Sequence, residues 1–107
     1  MIIINKEIPA KDLGEGFGRK LLASGGNMMA AEMIIKKGAV GAYHSHPHEQ
    51  ISYVVSGSIE ATIGGEKYIL NTGDSYYAKP NLPHGATALE DSVLLEIFSP
   101  QREDFLK

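Results

Sequence analysis

Turn-forming residues return roughly every eight to twelve positions along this chain, and the apolar segments between them are short. Glycine alone supplies 12 of the 107 residues. Such punctuation leaves no room for a long amphipathic helix, and its rhythm predicts an all-β sandwich or barrel. Candidate strands are Ile2–Ile4, Arg19–Ala23, Met28–Ile35, Ile51–Ser56, Ile59–Ile63, Tyr68–Leu70, Ser75–Ala78, Gly85–Ala88 and Val93–Phe98. Gly64-Gly65 suits a two-residue hairpin loop, because both residues tolerate positive φ. Asn27–Lys37 (NMMAAEMIIKK) is ambiguous, since Met, Ala, Glu and Lys favour helices. Its short length and the following Gly38 favour a strand. The chain has the length of a single domain, 1–107, without repeats or linkers.

Composition narrows the function classes. The net charge is −3, with no basic cluster, so no nucleic-acid partner is expected. Cysteine is absent, which excludes disulfides, thiolate metal sites and cysteine nucleophiles. The opening MIIINKEIPAKD meets charge too soon for a signal core or a membrane span, so a cytoplasmic protein without a membrane partner is expected. A core this small leaves outward residues such as Ile51 and Tyr53 wanting cover, which points to a homodimer. The Ile2–Ile4 segment is a candidate to extend a partner's sheet edge.

Three of the four histidines fall in five residues, His44-Ser45-His46-Pro47-His48, followed by Glu49-Gln50. Residues two apart in an extended chain share a face, so His44 and His46 can reach one ion together. A third ligand would come from Gln50 or Glu49, and His84, at the start of another strand, would close the set. Nitrogen and oxygen donors suit a first-row divalent metal (Zn, Ni, Mn, Fe or Co). The alternative from spacing alone is an exposed polar loop.

The run Gly38-x5-His44-x-His46-x3-Gln50-x6-Gly57 resembles the first cupin motif, with Gln50 where glutamate is usual. Gly73-Asp74-x5-Pro80-x2-Pro83-His84 resembles the second, with Lys79 and Asn81 departing from its common proline and glycine. The resemblance implies a cupin double-stranded β-helix, or jelly-roll barrel, binding one divalent transition metal through His44, His46, Gln50 and His84. His48 shares the parity of His44 and His46 and is an alternative ligand. Glu49 has the opposite parity and reads as a solvated or interface carboxylate. Three imidazoles and a neutral amide would leave the ion's charge uncompensated, favouring an anionic ligand and Lewis-acid chemistry.

Near the C-terminus, Glu96 and Phe98 share one face of a strand and Val93, Leu95 and Ile97 the other. A carboxylate in an apolar strand is costly unless it is paired or solvated. Glu96 is therefore either a general acid/base in the barrel, with Arg102 binding a substrate carboxylate, or half of a rim ion pair with Arg102 or Lys79. HSHPHEQ, ALEDSV, FSPxREDFL and, loosely, Gly16-Phe17-Gly18-Arg19-Lys20 together resemble the pectin-degradation cupins, which linearise 4,5-unsaturated monouronates. That likeness implies catalytic roles for Glu96, Phe98 and Arg102, Glu96 standing where the group has aspartate. It also implies a carboxylate-bearing small-molecule substrate. An iron-dependent dioxygenase and a non-enzymatic sugar- or ligand-binding module are the alternatives.

Overall fold

A computed structural model describes residues 1–106 of the chain. Nine strands form two antiparallel sheets: β1 (Lys11–Gly14), β2 (Phe17–Gly25), β3 (Met28–Ile35), β4 (Glu49–Ser56), β5 (Ser58–Ile63), β6 (Glu66–Asn71), β7 (Ser75–Ala78), β8 (His84–Ala88) and β9 (Ser92–Ser99). One sheet runs β1-β2-β3-β9-β4-β7 and the other β6-β5-β8. Short 3-10 turns at Asn5–Glu7 and Glu103–Leu106 flank them. Among the described residues, no helix is long and apolar enough to cross a membrane.

Alternation decides the ambiguous segment. Met29, Ala31 and Ile35 are buried at period two, so β3 gains a core face as a strand that overrides the helix preference of its residues. Gly64 and Gly65 turn the β5–β6 hairpin with φ of 56° and 88°. Gly57 links β4 to β5 at φ 90°, where any Cβ would overlap Ser92 Oγ and the backbone of Asp91. The core joins Ile35, Val54 and Leu94 of the larger sheet to Ile59, Ala61 and Ala88 of the smaller. These residues are small or β-branched apart from Leu94.

One expectation about the N-terminal region is corrected, and one strand there was not anticipated. Ile2–Ile4 is not a strand: it lies outside both sheets, with Ile2 and Ile4 exposed. β-Branched composition alone does not make a strand where no ladder partner is engaged. Instead Lys11–Gly14, polar and exposed throughout, becomes the edge strand by pairing with β2. Pairing, rather than propensity, makes it a strand.

Candidate metal centre and cavity

Backbone pairing brings the distant histidine to the local cluster. His44 and His84 form an isolated antiparallel bridge, His44 N donating to His84 O at 2.9 Å and His84 N to His44 O at 2.8 Å. Opposed residues of such a pair put their side chains on one face. Asn81 N donates to His46 O at 2.7 Å, tying the loop before β8 to the histidine loop. Gln50 arrives on the inward face of β4, 3% exposed.

The orientation of each ring is set by a carbonyl. Nδ1 of His44, His46 and His84 lies 2.7, 3.0 and 2.8 Å from the backbone oxygens of Ala42, His48 and Leu82. A carbonyl only accepts, so these contacts assign the proton to Nδ1 and leave Nε2 with a bare lone pair. Burial lowers the pKa of His46 and of His84 from the ordinary value, which favours this neutral form. Gln50 Oε1 nevertheless sits 2.9 Å from His46 Nε2 and 3.2 Å from His84 Nε2. Three acceptors converge with no hydrogen between them. A cation at their centre removes that conflict, so this donor set fits a divalent metal. The three histidines can hold one: their ligand nitrogens lie within 4.8 Å of one another, near the spread a single ion with bonds of about 2.1 Å gathers.

The Gln50 amide is held from behind. Its Nε2 donates to Glu96 Oε2 at 2.7 Å and to Ser52 Oγ at 2.8 Å, with Tyr76 Oη a longer 3.3 Å away. Ser52 Oγ also donates to Glu96 Oε2, at 3.1 Å. Burial pushes the Glu96 carboxyl above its usual range, while the Ser52 hydrogen bond and the charges of Arg102, His44 and Arg19 pull it back. Burial and the charge of Glu96 raise the Tyr76 phenol likewise.

A cavity of about 210 Å³ opens beside this cluster. His44, His84 and Gln50 line one part of it, Glu96, Tyr76 and Arg102 another, and Phe17, Met33 and Leu94 give it an apolar floor. The strand parity read from the sequence is therefore right for Glu96. Phe98 packs beneath the site, 1% exposed, its ring centroid 5.9 Å from that of His46.

Other expectations fare differently. Glu96 forms no ion pair with Arg102 or Lys79 among the described residues; Arg102 pairs with Asp104 instead. His48 stands outside the three-histidine group, its ring centroid 5.3 Å from that of His46 and its buried Nδ1 without a partner. Glu49 is exposed and accepts from Tyr77 Oη at 2.7 Å, as its parity implied. Sequence reasoning missed Ser52, Tyr76, Asp104 and Arg19. Ser52 had a signal, sharing the inward parity of Gln50.

Residues 31–98 match the cupin domain family, and the chain belongs to it. Over 105 residues, 96% of either chain, it is 47% identical to the pectin degradation protein KdgF of Dickeya dadantii. KdgF from Halomonas sp. superposes with a TM-score of 0.95 at 41% identity, covering 98% of this chain and 97% of that one. An RmlC-like cupin from Shewanella frigidimarina superposes with a TM-score of 0.94 at 36% identity, covering 97% and 94%.

Proposed function

We propose that this cupin is a metal-dependent isomerase that opens the ring of a 4,5-unsaturated monouronate, or a related sugar acid, and completes its tautomerisation. His44, His46, Gln50 and His84 hold one divalent transition metal, which supplies a Lewis-acid centre and positive charge when bound. The observation that carries the reading is the convergence of three proton-free acceptors at a cavity also lined by Glu96 and Arg102. The pectin degradation proteins it resembles supply the substrate class, since pectin is a polymer of uronates.

The reaction adds and removes no atoms. As the bond between C1 and the ring oxygen breaks, the C1 hydroxyl loses its proton and an aldehyde forms. The enol left at C4–C5 gains a proton at C4 and becomes a C5 ketone. Glu96 relays that proton from its place in the cavity, held by Gln50 and Ser52. Arg102 anchors the substrate carboxylate. Phe98 walls the site and keeps the His46 ring in place.

Elemental analysis of protein purified without added metal, followed by an ultraviolet assay for loss of the uronate double bond, tests the proposal. One equivalent of metal and oxygen-independent loss of absorbance are expected. Oxygen uptake with iron would favour a dioxygenase instead, and tight binding without turnover a ligand-binding module.

The outward face of the larger sheet supports a second reading, that two copies meet there. Ile51, Tyr53 and Val55 of β4 are 48, 43 and 45% exposed, beside Tyr77 of β7 at 52%.

A further inference from the structure

Arg102 lies beyond the last strand, yet its side chain is only 12% accessible. The segment after β9 folds back over the barrel. Gln101 Nε2 donates to Gly26 O at 2.8 Å, and Phe105 packs edge-on against Phe98 with centroids 5.6 Å apart. Within this turn, Arg102 Nε and Nη2 donate to Asp104 Oδ1 and Oδ2 at 3.0 and 2.9 Å. The same guanidinium stacks 4.2 Å from the Phe105 centroid. A second guanidinium, Arg19 from β2, packs on that ring at 3.9 Å.

One edge of Arg102 is thus tied to a carboxylate and one face rests on an aromatic ring. A guanidinium has five N–H donors, and the side-on pair with Asp104 uses two. The Nη1 hydrogens and one on Nη2 have no partner among the described residues. They form the end-on edge that accepts a second carboxylate in bidentate fashion. Asp104 alone would make a poor anion receptor, because it neutralises the charge it orients. Arg19 offsets this: two guanidinium groups face the one carboxylate of Asp104 around Phe105, Glu96 being the other carboxyl that both arginines act on.

We propose that Asp104, Phe105 and Arg19 are positioning residues that present the free Nη1/Nη2 edge of Arg102 to the cavity. Preference for a carboxylate ligand is then set by the C-terminal turn and β2 as well as by the metal. The proposal rests on the reading of Arg102 as carboxylate anchor. Its physical basis is preorganisation: a long side chain already fixed in place loses little freedom when the ligand binds.

The test uses the metal-loaded protein, with galacturonate and its uncharged methyl ester as probes. Their saturated rings lack the double bond on which turnover depends. Wild type should prefer the acid by about ten-fold or more, the scale of one charge-assisted bidentate contact. Asp104→Asn and Arg19→Gln should each cut that ratio several-fold, leaving affinity for the ester and thermal stability near wild type. A merely structural role would weaken both probes together. In parallel, the Arg102 Nε–H resonance, assigned by its loss in Arg102→Lys, should be ordered in wild type and mobile in Asp104→Asn. Asp104 is 59% exposed, so its variant is expected to fold. Acid preference and Nε–H order retained in both variants overturn the positioning roles alone. Absence of any acid preference in wild type overturns the anchor role of Arg102 and this extension together.

Discussion

Strand β4 carries opposite chemistry on its two faces, and the usual pattern is inverted. Inward, Gln50 and Ser52 are polar yet 3 and 1% exposed. Outward, Ile51 and Tyr53 are apolar yet roughly half exposed, and they continue into Ile97 and Leu95 on the paired β9. Buried polar groups persist only when hydrogen-bonded, and an apolar sheet face of this kind calls for cover. Under the proposed function one strand would serve two tasks, a reactive interior and an outward surface for a second copy. Substitutions can be aimed at each face separately.

The network on the inner face should break most completely at Glu96, which meets Gln50 and Ser52 from the paired β9. Glu96→Gln removes the proton relay, and turnover should fall about 100-fold or more. Thermal stability should stay near wild type or rise, because a partly buried charge is removed. An amide can still accept from Ser52, so the network survives in part. A large loss of melting temperature with modest loss of turnover would assign Glu96 to architecture.

His84→Ala should be next. The bridge to His44 uses backbone atoms only, so the barrel should fold. Metal affinity should drop by more than the roughly 10–100-fold of a lost outer-shell partner, since a ligand itself is removed. Full stoichiometry by elemental analysis in this variant would end its assignment as a ligand.

How much of this was readable in advance depended on where the chain stays periodic. The resemblance to the two cupin motifs implied His44, His46, Gln50 and His84 at one site, and two-residue alternation put Glu96 and Phe98 on a shared face of β9, which the structure turns inward. Alternation stops at Ser99, and with it the ability to say what Arg102 meets. Glu96 was a reasonable partner by charge; the 3-10 turn instead delivers Asp104, two residues away. Arg19 was read as the start of a strand and as part of a loosely matching run, Gly16 to Lys20, with no role at the site. Its shared parity with Phe17 and Leu21 was the available clue, since a charged residue on an inward face needs a partner. At the N-terminus, propensity misled in both directions, favouring Ile2–Ile4, which joins neither sheet among the described residues, over Lys11–Gly14, which pairs with β2.

A smaller effect is expected at Gln50. From ligand chemistry alone, Gln50→Glu should tighten metal binding and weaken binding of an anion, since the site's net charge falls by one. The hydrogen bond of 2.7 Å from Gln50 Nε2 to Glu96 adds an opposing effect. A glutamate there would face Glu96 with like charge unless one of them takes up a proton. The expected result is metal affinity equal to or a few-fold above wild type, with galacturonate bound more weakly. Equal galacturonate affinity in both proteins would count against control of anion binding by site charge.

The outer face should be separable from all of this. Ile51→Lys with Tyr53→Lys places two charges in the middle of the exposed apolar surface, where a second copy would have to desolvate them. Sedimentation should show the dimer expected for wild type replaced by a monomer of 11.6 kDa. Neither side chain reaches the cavity, which Gln50 lines from the opposite face of the same strand. Metal content and turnover per chain should therefore change less than two-fold, within the roughly ±0.5 kcal/mol usual for surface changes. A monomeric wild type would remove the explanation for the apolar face. A dimer that loses activity on dissociation would show the two faces of β4 to be coupled through the strand they share.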